Sequence, residues 1–398
     1  MKLSPKVVII VFLIASCTFL GILLYSYYNH TKDKTFDAEA YANKLLVDCK
    51  NASQKRSCYF AHFQKLSESN DFSISFNILR ELQKIDTSVE YCHTIAHEIG
   101  YKAAIRNPHS WEKLVKGIDI QACTYGFLHG IIEGLASINK GNFTLTKDSI
   151  TTLCDKVVTL SKGKATDAIN ERMCAHIMGH LLVLQYSDTV DDPIKTCQEL
   201  NQNSQAECSQ GAFMEHDFKD VLRIHGLAKE VVWNLDNVGQ LETMCGRYSG
   251  AIGSECWKAL SHAYMQIAQG NYSTIFTLCS NRAPKEYRDS CYFAGSYDLV
   301  LQMLSGFYKS DSIGKLCSVY LTASEKNECM KAVAEYVIWS SPLSAGRFRK
   351  FCSDAEISSK KSCYRIYGKA IGEYISDNSQ RELCQKVEPS YLNACLNI

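Results

Sequence analysis

Residues 278–300, LCSNRAPKEYRDSCYFAGSYDLV, contain the pattern that decides the fold. A first cysteine ends or begins a short helical segment, a polar stretch follows, and a second cysteine begins a longer segment with helical spacing of apolar residues. The same arrangement returns in residues 316–337 and 351–375. We interpret each occurrence as a helix hairpin whose connector is closed by a disulfide.

The other cysteines extend this pattern along the chain. Eighteen of the nineteen follow residue 35, and an even number is typical of a protein in an oxidising compartment. A disulfide that closes a loop of this size stabilises a protein by about 3 kcal/mol. The spacing predicts seven local bridges: Cys49–Cys58, Cys197–Cys208, Cys245–Cys256, Cys279–Cys291, Cys317–Cys329, Cys352–Cys363 and Cys384–Cys395.

Four cysteines depart from the regular spacing. We read Cys92, Cys123 and Cys174 as the first residues of long helices and Cys154 as the end of one. Cys154 and Cys174 are then a bridge with a longer connector. We predict that Cys92 and Cys123 join the starts of two neighbouring helices; the alternative is a pair of free thiols near a metal.

The repeat length predicts the fold class. From Cys245 onward the first cysteine of each pair recurs every 32 to 38 residues, which is the period of a helix-hairpin repeat. No segment shows the alternation of a strand. We predict an all-α, disulfide-stapled α-solenoid. Its architecture is similar to that of secreted, disulfide-linked relatives of tetratricopeptide repeats, although the consensus residues of that family are not found.

The N-terminus predicts a membrane anchor. Lys2 and Lys6 precede an apolar run over residues 7–28, and about 20 such residues cross a bilayer. The lysines favour a cytoplasmic N-terminus, so the rest of the chain lies outside the cytoplasm, in an extracellular, periplasmic or lumenal space. A cleaved signal peptide and a lipoprotein modified at Cys17 are the alternatives. We divide the chain into an anchor and stalk (1–35), a histidine-rich helical region (36–265) and regular repeats (266–398).

Histidine placement indicates a functional site. The eleven histidines all precede residue 263. Six of them lie in helices that carry a cysteine near the start, in residues 92–103, 123–134, 174–183 and 208–218. Within these segments, side chains four residues apart share a helix face, one turn from each other. The pairs with this spacing are His93/His97, His129/Glu133 and His176/His180.

This spacing is the one by which a helix offers two ligands to one metal. We predict a transition-metal site, mononuclear or dinuclear, for Zn, Cu, Fe or Mn. Its expected ligands are His93, His97, His129, Glu133, His176, His180, Glu215 and His216. Glycines at 100, 126, 130, 134, 179 and 211 predict that these helices approach closely, because each mid-helix glycine costs about 1 kcal/mol relative to alanine.

The function classes remain open at this point. One hypothesis is a metal-dependent enzyme or a metal-handling factor, with Glu98 and Glu133 as weak candidates for an acid or base. The other is a protein-binding solenoid whose histidines are structural and whose C-terminal repeats bind a partner. Aromatic residues such as Tyr264, Tyr292, Tyr364 and Tyr367 could serve such a surface, although at helical spacing they are more often packing residues. A net charge of +1 favours no nucleic-acid partner. His62, His225 and His262 are expected to be core residues.

Overall fold

The computed structural model describes most of residues 37–396. The gaps are 53–54, 70–71, 87–88, 90–91, 118–122, 124, 139–143, 162–166, 187–188, 220–228, 230, 270, 305–316, 318–321, 341–344 and 375–376. The predicted membrane segment over residues 7–28 and the core prediction for His225 lie outside the described residues. Within the described ranges no helix is long and apolar enough to cross a membrane.

The described residues are all-helical, as predicted. The first ten α-helices are α1 (Ala38–Asp48), α2 (Lys55–Ser69), α3 (Phe72–Ile85), α4 (His93–Arg106), α5 (Trp111–Gly117), α6 (Gly126–Ile138), α7 (Lys147–Leu160), α8 (Asp167–Tyr186), α9 (Asp191–Gln198) and α10 (Gln202–Phe218). The next are α11 (Gly239–Cys245), α12 (Gly250–Ala268), α13 (Tyr272–Arg282), α14 (Arg288–Leu304), α15 (Ala323–Ser340), α16 (Ala345–Asp354), α17 (Ile357–Tyr374), α18 (Asp377–Cys384) and α19 (Leu392–Cys395). The described residues also contain 3₁₀ turns at Pro108–Ser110, Lys285–Tyr287 and Pro389–Tyr391.

One series of helices packs side by side along the chain. The packed neighbours run α2, α4, α6, α8, α10, α12, α14, α15, α17 and α19. The intervening helices α7, α9, α11, α13 and α16 each pack on the helix that follows them. This nearest-neighbour packing of hairpins is what a helical repeat predicts.

Nine disulfides join these helices, and the pairing is the predicted one. Eight of them connect residues 9 to 20 apart and close the connector between a helix and the next one. The ninth, Cys92–Cys123, spans 31 residues and joins the starts of α4 and α6. Disulfides persist in oxidising compartments and are rare in the cytosol, so this part of the chain belongs outside the cytoplasm.

The cysteines lie deeper in their helices than the sequence pattern indicated. Cys208 is the seventh residue of α10, Cys174 is the eighth residue of α8, and Cys154 lies in the middle of α7. The polar residues before Cys208 form the first turns of α10, where the Asn201 side chain accepts hydrogen bonds from the backbone N–H groups of Asn203 and Ser204. The sequence pattern predicts a break between helices at these residues, but their polarity reflects exposure and capping.

The buried apolar side chains form two clusters that meet at α8 and α10. One extends from Ala42 to Cys208 and the other from Val183 to Cys395. Both contain residues of α8 and of α10, the helices that contribute the C-terminal part of the predicted site. The division at residue 265 stays a prediction.

Candidate metal site

Glycines allow α4 and α6 to touch through their backbones. A Cβ atom at Gly130 would overlap the carbonyl oxygen of His97 and lie 2.6 Å from the backbone nitrogen of Tyr101. A Cβ at Gly126 would overlap the carbonyl oxygen of His93, and one at Gly134 would lie 2.8 Å from the Cβ of Ala104. The predicted close approach is therefore present, and it aligns the histidine-bearing face of α4 with that of α6.

The pair α8 and α10 repeats this arrangement. A Cβ at Gly211 would overlap the carbonyl oxygen of His176 and lie 3.2 Å from Cδ2 of His180. A Cβ at Gly179 would overlap the carbonyl oxygen of Cys208. Each pair thus consists of a helix with two histidines four residues apart and a partner helix whose glycine fits against the first histidine's carbonyl. Because α6 also packs on α8, the two pairs bring their polar residues together.

Three side chains of the first pair form a compact donor set. Nε2 of His97 lies 2.9 Å from Oε2 of Glu133, and Nε2 of His129 lies 3.5 Å from Oε1 of the same carboxylate. One ligand atom from each of the three lies within 4.8 Å of the others, and all three residues are buried. Ligand atoms on a tetrahedral ion with bonds of about 2.0–2.1 Å lie about 3.3 Å apart. The set could hold a metal ion with a fourth coordination position open to water or substrate.

Four more predicted ligands surround this triad. Nε2 of His93 lies 3.3 Å from Nδ1 of His129. The ring of His129 is centred 5.1 Å from that of His180 and 6.0 Å from that of His176. We call the seven residues the His/Glu cluster: His93, His97, His129, Glu133, His176, His180 and Glu215.

The cluster has a buried part and a more accessible part. His97, His129 and His180 are buried together with both glutamates, whereas His93 and His176 are half-buried. His93 and His176 precede the buried His97 and His180 by one turn on their helices. The accessible side of the cluster therefore faces the N-terminal direction of α4 and α8.

Burial and mutual repulsion favour the neutral form of two histidines of the cluster, His129 and His176. Burial lowers the pKa of His129 well below its usual value, and the positive charge that His180, His97 and His93 would carry lowers it further, against the opposite effect of Glu133. Burial also lowers the pKa of His176, with contributions from His180 and His93. Neutral imidazole is the form that binds metals.

Two predicted site residues lie apart from the His/Glu cluster. Nδ1 of His216 lies 2.7 Å from Oδ1 of Asp217, and its side chain is 30% exposed. Burial raises the pKa of Asp217, an effect that His216 opposes. Glu98 is buried, with Oε1 3.8 Å from Nζ of Lys102. Glu215, adjacent to His216, is the member of that dipeptide that turns toward His180.

The eighteen cysteines of the described residues are all in disulfides and provide no thiolate ligands. Cys92 and Cys123 are bridged, which contradicts their alternative as free thiols. Cys49, Cys58 and His62 also lie within reach of a common point, but the two sulfurs form a disulfide. Half-buried His62 and His262 are not part of the His/Glu cluster, although the ring of His262 packs 5.6 Å from that of Phe218.

One supporting residue had no signal in the sequence. Asn170, fully buried on α8, accepts a 3.0 Å hydrogen bond from the hydroxyl of Tyr125. Tyr125 has a positive φ of 61° directly before α6, a conformation that is costly for a bulky residue. This contact fixes the start of α6 against α8, and a lone asparagine in a helix gives no hint of such a role.

Similarity to known proteins adds nothing to this geometry. No known family model matches the chain, and neither the curated proteins nor the solved structures show a significant match to it. The class of protein is therefore defined by the fold and the site alone: a disulfide-stapled, all-helical protein with a buried His/Glu donor set.

Proposed function

We propose that this protein is an extracytoplasmic, membrane-anchored helical repeat protein that binds a transition metal through its His/Glu cluster. The observation that carries the proposal is the donor set of His97, His129 and Glu133, three buried ligand atoms within 4.8 Å of one another on two neighbouring helices. A bound cation would interact with the lone pairs of all three groups and so offset part of the cost of burying them away from water.

The donor types define the class of metal. Imidazole suits Zn, Cu, Fe and Ni, and a carboxylate adds Mn to the range. Helical bundles build such centres from histidines and glutamates that project inward from neighbouring helices. Three protein ligands on a four-coordinate ion leave one position for water or substrate, as in catalytic zinc sites. A metal-dependent enzyme and a metal-handling factor both fit this arrangement.

The membrane anchor is part of the proposal. The nine disulfides support an oxidising environment for residues 37–396. The apolar run over residues 7–28, preceded by Lys2 and Lys6, is long enough to cross the bilayer with the N-terminus in the cytoplasm.

The test is the metal content of the full-length chain, produced in an oxidising compartment without a histidine tag. We expect a stoichiometric transition metal by mass spectrometry. The double variant His97→Gln/Glu133→Gln should lose the ion held by His97, His129 and Glu133, because the amide side chains keep hydrogen-bonding capacity but are poor metal ligands. His109→Gln, at an exposed position outside the cluster, is the matched control and should retain the metal.

The competing hypothesis makes the opposite prediction. If the histidines are a structural polar network, the wild-type chain will contain no stoichiometric metal and will take up none on dialysis against Zn²⁺. The double variant will then only be less stable. That result would leave a protein-binding solenoid, with a partner on the C-terminal repeats, as the better hypothesis. Four of the aromatic residues considered for such a surface, Tyr264, Tyr292, Tyr364 and Tyr367, are buried and would not contribute to it.

A further inference from the structure

A second donor pair lies on α8, across the ring of His129 from Glu133. Nε2 of His176 is 3.3 Å from Nε2 of His180. This separation equals the spacing of about 3.3 Å between two nitrogens bound to one tetrahedral ion. The two residues are four apart on one helix, so both rings project from the same face. None of the three triad side chains is needed to form this pair.

The second feature is a fully buried carboxylate behind His180. Oε2 of Glu215, on α10, lies 3.4 Å from Nδ1 of His180, and both side chains are 0% exposed. A carboxylate accepts the Nδ1–H hydrogen bond, so it fixes the tautomer in which Nε2 carries the lone pair. That lone pair points toward Nε2 of His176. A carboxylate that holds a ligating histidine in this way is a common feature of metal sites.

We propose that the His/Glu cluster is dinuclear, with a second metal position formed by Nε2 of His176 and Nε2 of His180. Glu215 is a positioning residue that acts through His180. This inference rests on the metal site proposed above and extends it to a second ion. Without metal, the 3.3 Å contact between the two Nε2 atoms requires a proton on one of them. In a neutral His176 that proton moves from Nε2 to Nδ1 when Nε2 binds the metal, so both imidazoles remain neutral ligands.

His129 connects the two positions. Its Nε2 faces Glu133 at 3.5 Å, while its ring is centred 5.1 Å from that of His180 and lies between the two donor sets. The second position is the more accessible one, because His176 is half-buried whereas the triad is buried. With only two protein nitrogens, it keeps more coordination positions for water or a bridging ligand.

The experiment is a Zn²⁺ titration of the metal-free full-length chain by equilibrium dialysis, with bound metal measured by mass spectrometry. We expect two equivalents in the wild type and one in His176→Gln/His180→Gln. His97→Gln/Glu133→Gln should also bind one equivalent. Circular dichroism and a count of intact disulfides establish that each variant is folded, and His109→Gln should bind two equivalents as the wild type does.

The variant Glu215→Gln tests whether Glu215 positions His180 or only stabilises the fold. The amide can still contact Nδ1 but presents an –NH₂ group or a weaker acceptor, so we expect the affinity of one equivalent to fall by about 10–100-fold. The affinity of the other equivalent should not change. An equal loss at both positions would show that Glu215 acts through the fold, and would overturn its assignment.

The outcomes distinguish this proposal from the previous one. If the wild type binds one equivalent and either double variant abolishes that binding, the chain has a single shared site. This result overturns the second position and leaves the proposed function intact. A wild type that binds no metal overturns both. Two equivalents retained in His176→Gln/His180→Gln would assign the second ion to other residues and overturn the inference.

Discussion

At the residue scale, the site depends on glycines, which place no side chain on the helix surface, as much as on the histidines and glutamates. Gly126, Gly130 and Gly211 each fit against a histidine carbonyl of the partner helix. Alanine has a higher helix propensity by about 1 kcal/mol, so the sequence gives up local stability at these positions. The gain is a backbone-to-backbone approach that no other residue allows, and this approach brings imidazoles of two helices into contact.

We predict that Gly130→Ala will disrupt the His/Glu cluster. The added methyl group would overlap the carbonyl oxygen of His97, so α4 and α6 must separate. Overpacking of this kind costs about 1–3 kcal/mol, and we expect a lower melting temperature together with weaker metal binding. The control is Gly346→Ala in α16, where no atom of the described residues lies within 4 Å of the new Cβ. It should leave stability unchanged or raise it; equal destabilisation by both substitutions would contradict this account.

A hydrogen bond outside the site predicts how the stability of the fold depends on pH. The Tyr248 hydroxyl donates a 2.6 Å hydrogen bond to Oδ1 of Asp191, and this bond, with help from Arg247, lowers the pKa of Asp191. A carboxyl group with a lowered pKa in the folded state stabilises the fold above its unfolded pKa. That stabilisation is lost as the pH falls through the folded-state pKa.

Tyr248→Phe should therefore destabilise the protein at pH 7 by about 1 kcal/mol, the usual size of such a bond at a partly exposed site. The phenyl ring preserves the packing on Phe213. The difference from wild type should shrink below the ordinary carboxyl pKa of 3.8, where Asp191 becomes protonated in both proteins. Thermal unfolding at several pH values measures this difference in stability. A difference that does not change with pH would assign the destabilisation to the ring and not to the hydrogen bond with Asp191.

At the element scale, the helix hairpins are held by disulfides, and one of these bears on the site. Eight bridges close connectors between a helix and the next one, whereas Cys92–Cys123 joins the starts of two long helices that both carry ligands. The bridge enforces the register in which Gly126 meets the carbonyl of His93. The chain conformation around Cys123 and Tyr125, both with positive φ, follows from this tight entry into α6.

We expect Cys92→Ser/Cys123→Ser to affect both stability and metal binding. Removing a bridge that closes a loop of this length costs about 3–4 kcal/mol in the chain-entropy model, and the loss falls on the two helices of the triad. The matched control is Cys384→Ser/Cys395→Ser at the C-terminal end. It should lower the melting temperature of the last repeat while leaving the metal content unchanged. Loss of metal in both variants would mean that the site depends on the whole array.

At the scale of the whole molecule, stability is distributed over neighbouring hairpins, each with its own bridge. Each long helix packs mainly on the previous and the next one, so a local defect need not unfold distant repeats. The nine bridges reduce the entropy of the unfolded chain along its whole described length. The apolar clusters on either side meet at α8 and α10, so the site lies where the two cores join.

Reducing the disulfides should consequently lower the melting temperature of the protein sharply. We expect a helix-dominated circular dichroism spectrum for the oxidised protein, and a large loss of thermal stability after treatment with a thiol reductant under native conditions. An unchanged melting temperature would argue against structural disulfides, and a strand-rich spectrum would argue against the fold itself.

The sequence by itself determined the helical class, the repeat and the eight short-range disulfides, because cysteine spacing and helical periodicity are local properties. It left Cys92 and Cys123 open between a bridge and free thiols, and the structure has the bridge. It also indicated the residues of the candidate metal site, since residues four apart share a helix face whatever the tertiary structure. It misplaced the helix starts, where the polar residues before Cys174 and Cys208 belong to the first turns of α8 and α10. Only the tertiary structure decided that Glu215 and not His216 faces His180, and that Asn170 supports Tyr125. These depend on the rotation of one helix against another, which is set by glycine contacts between residues distant in the chain.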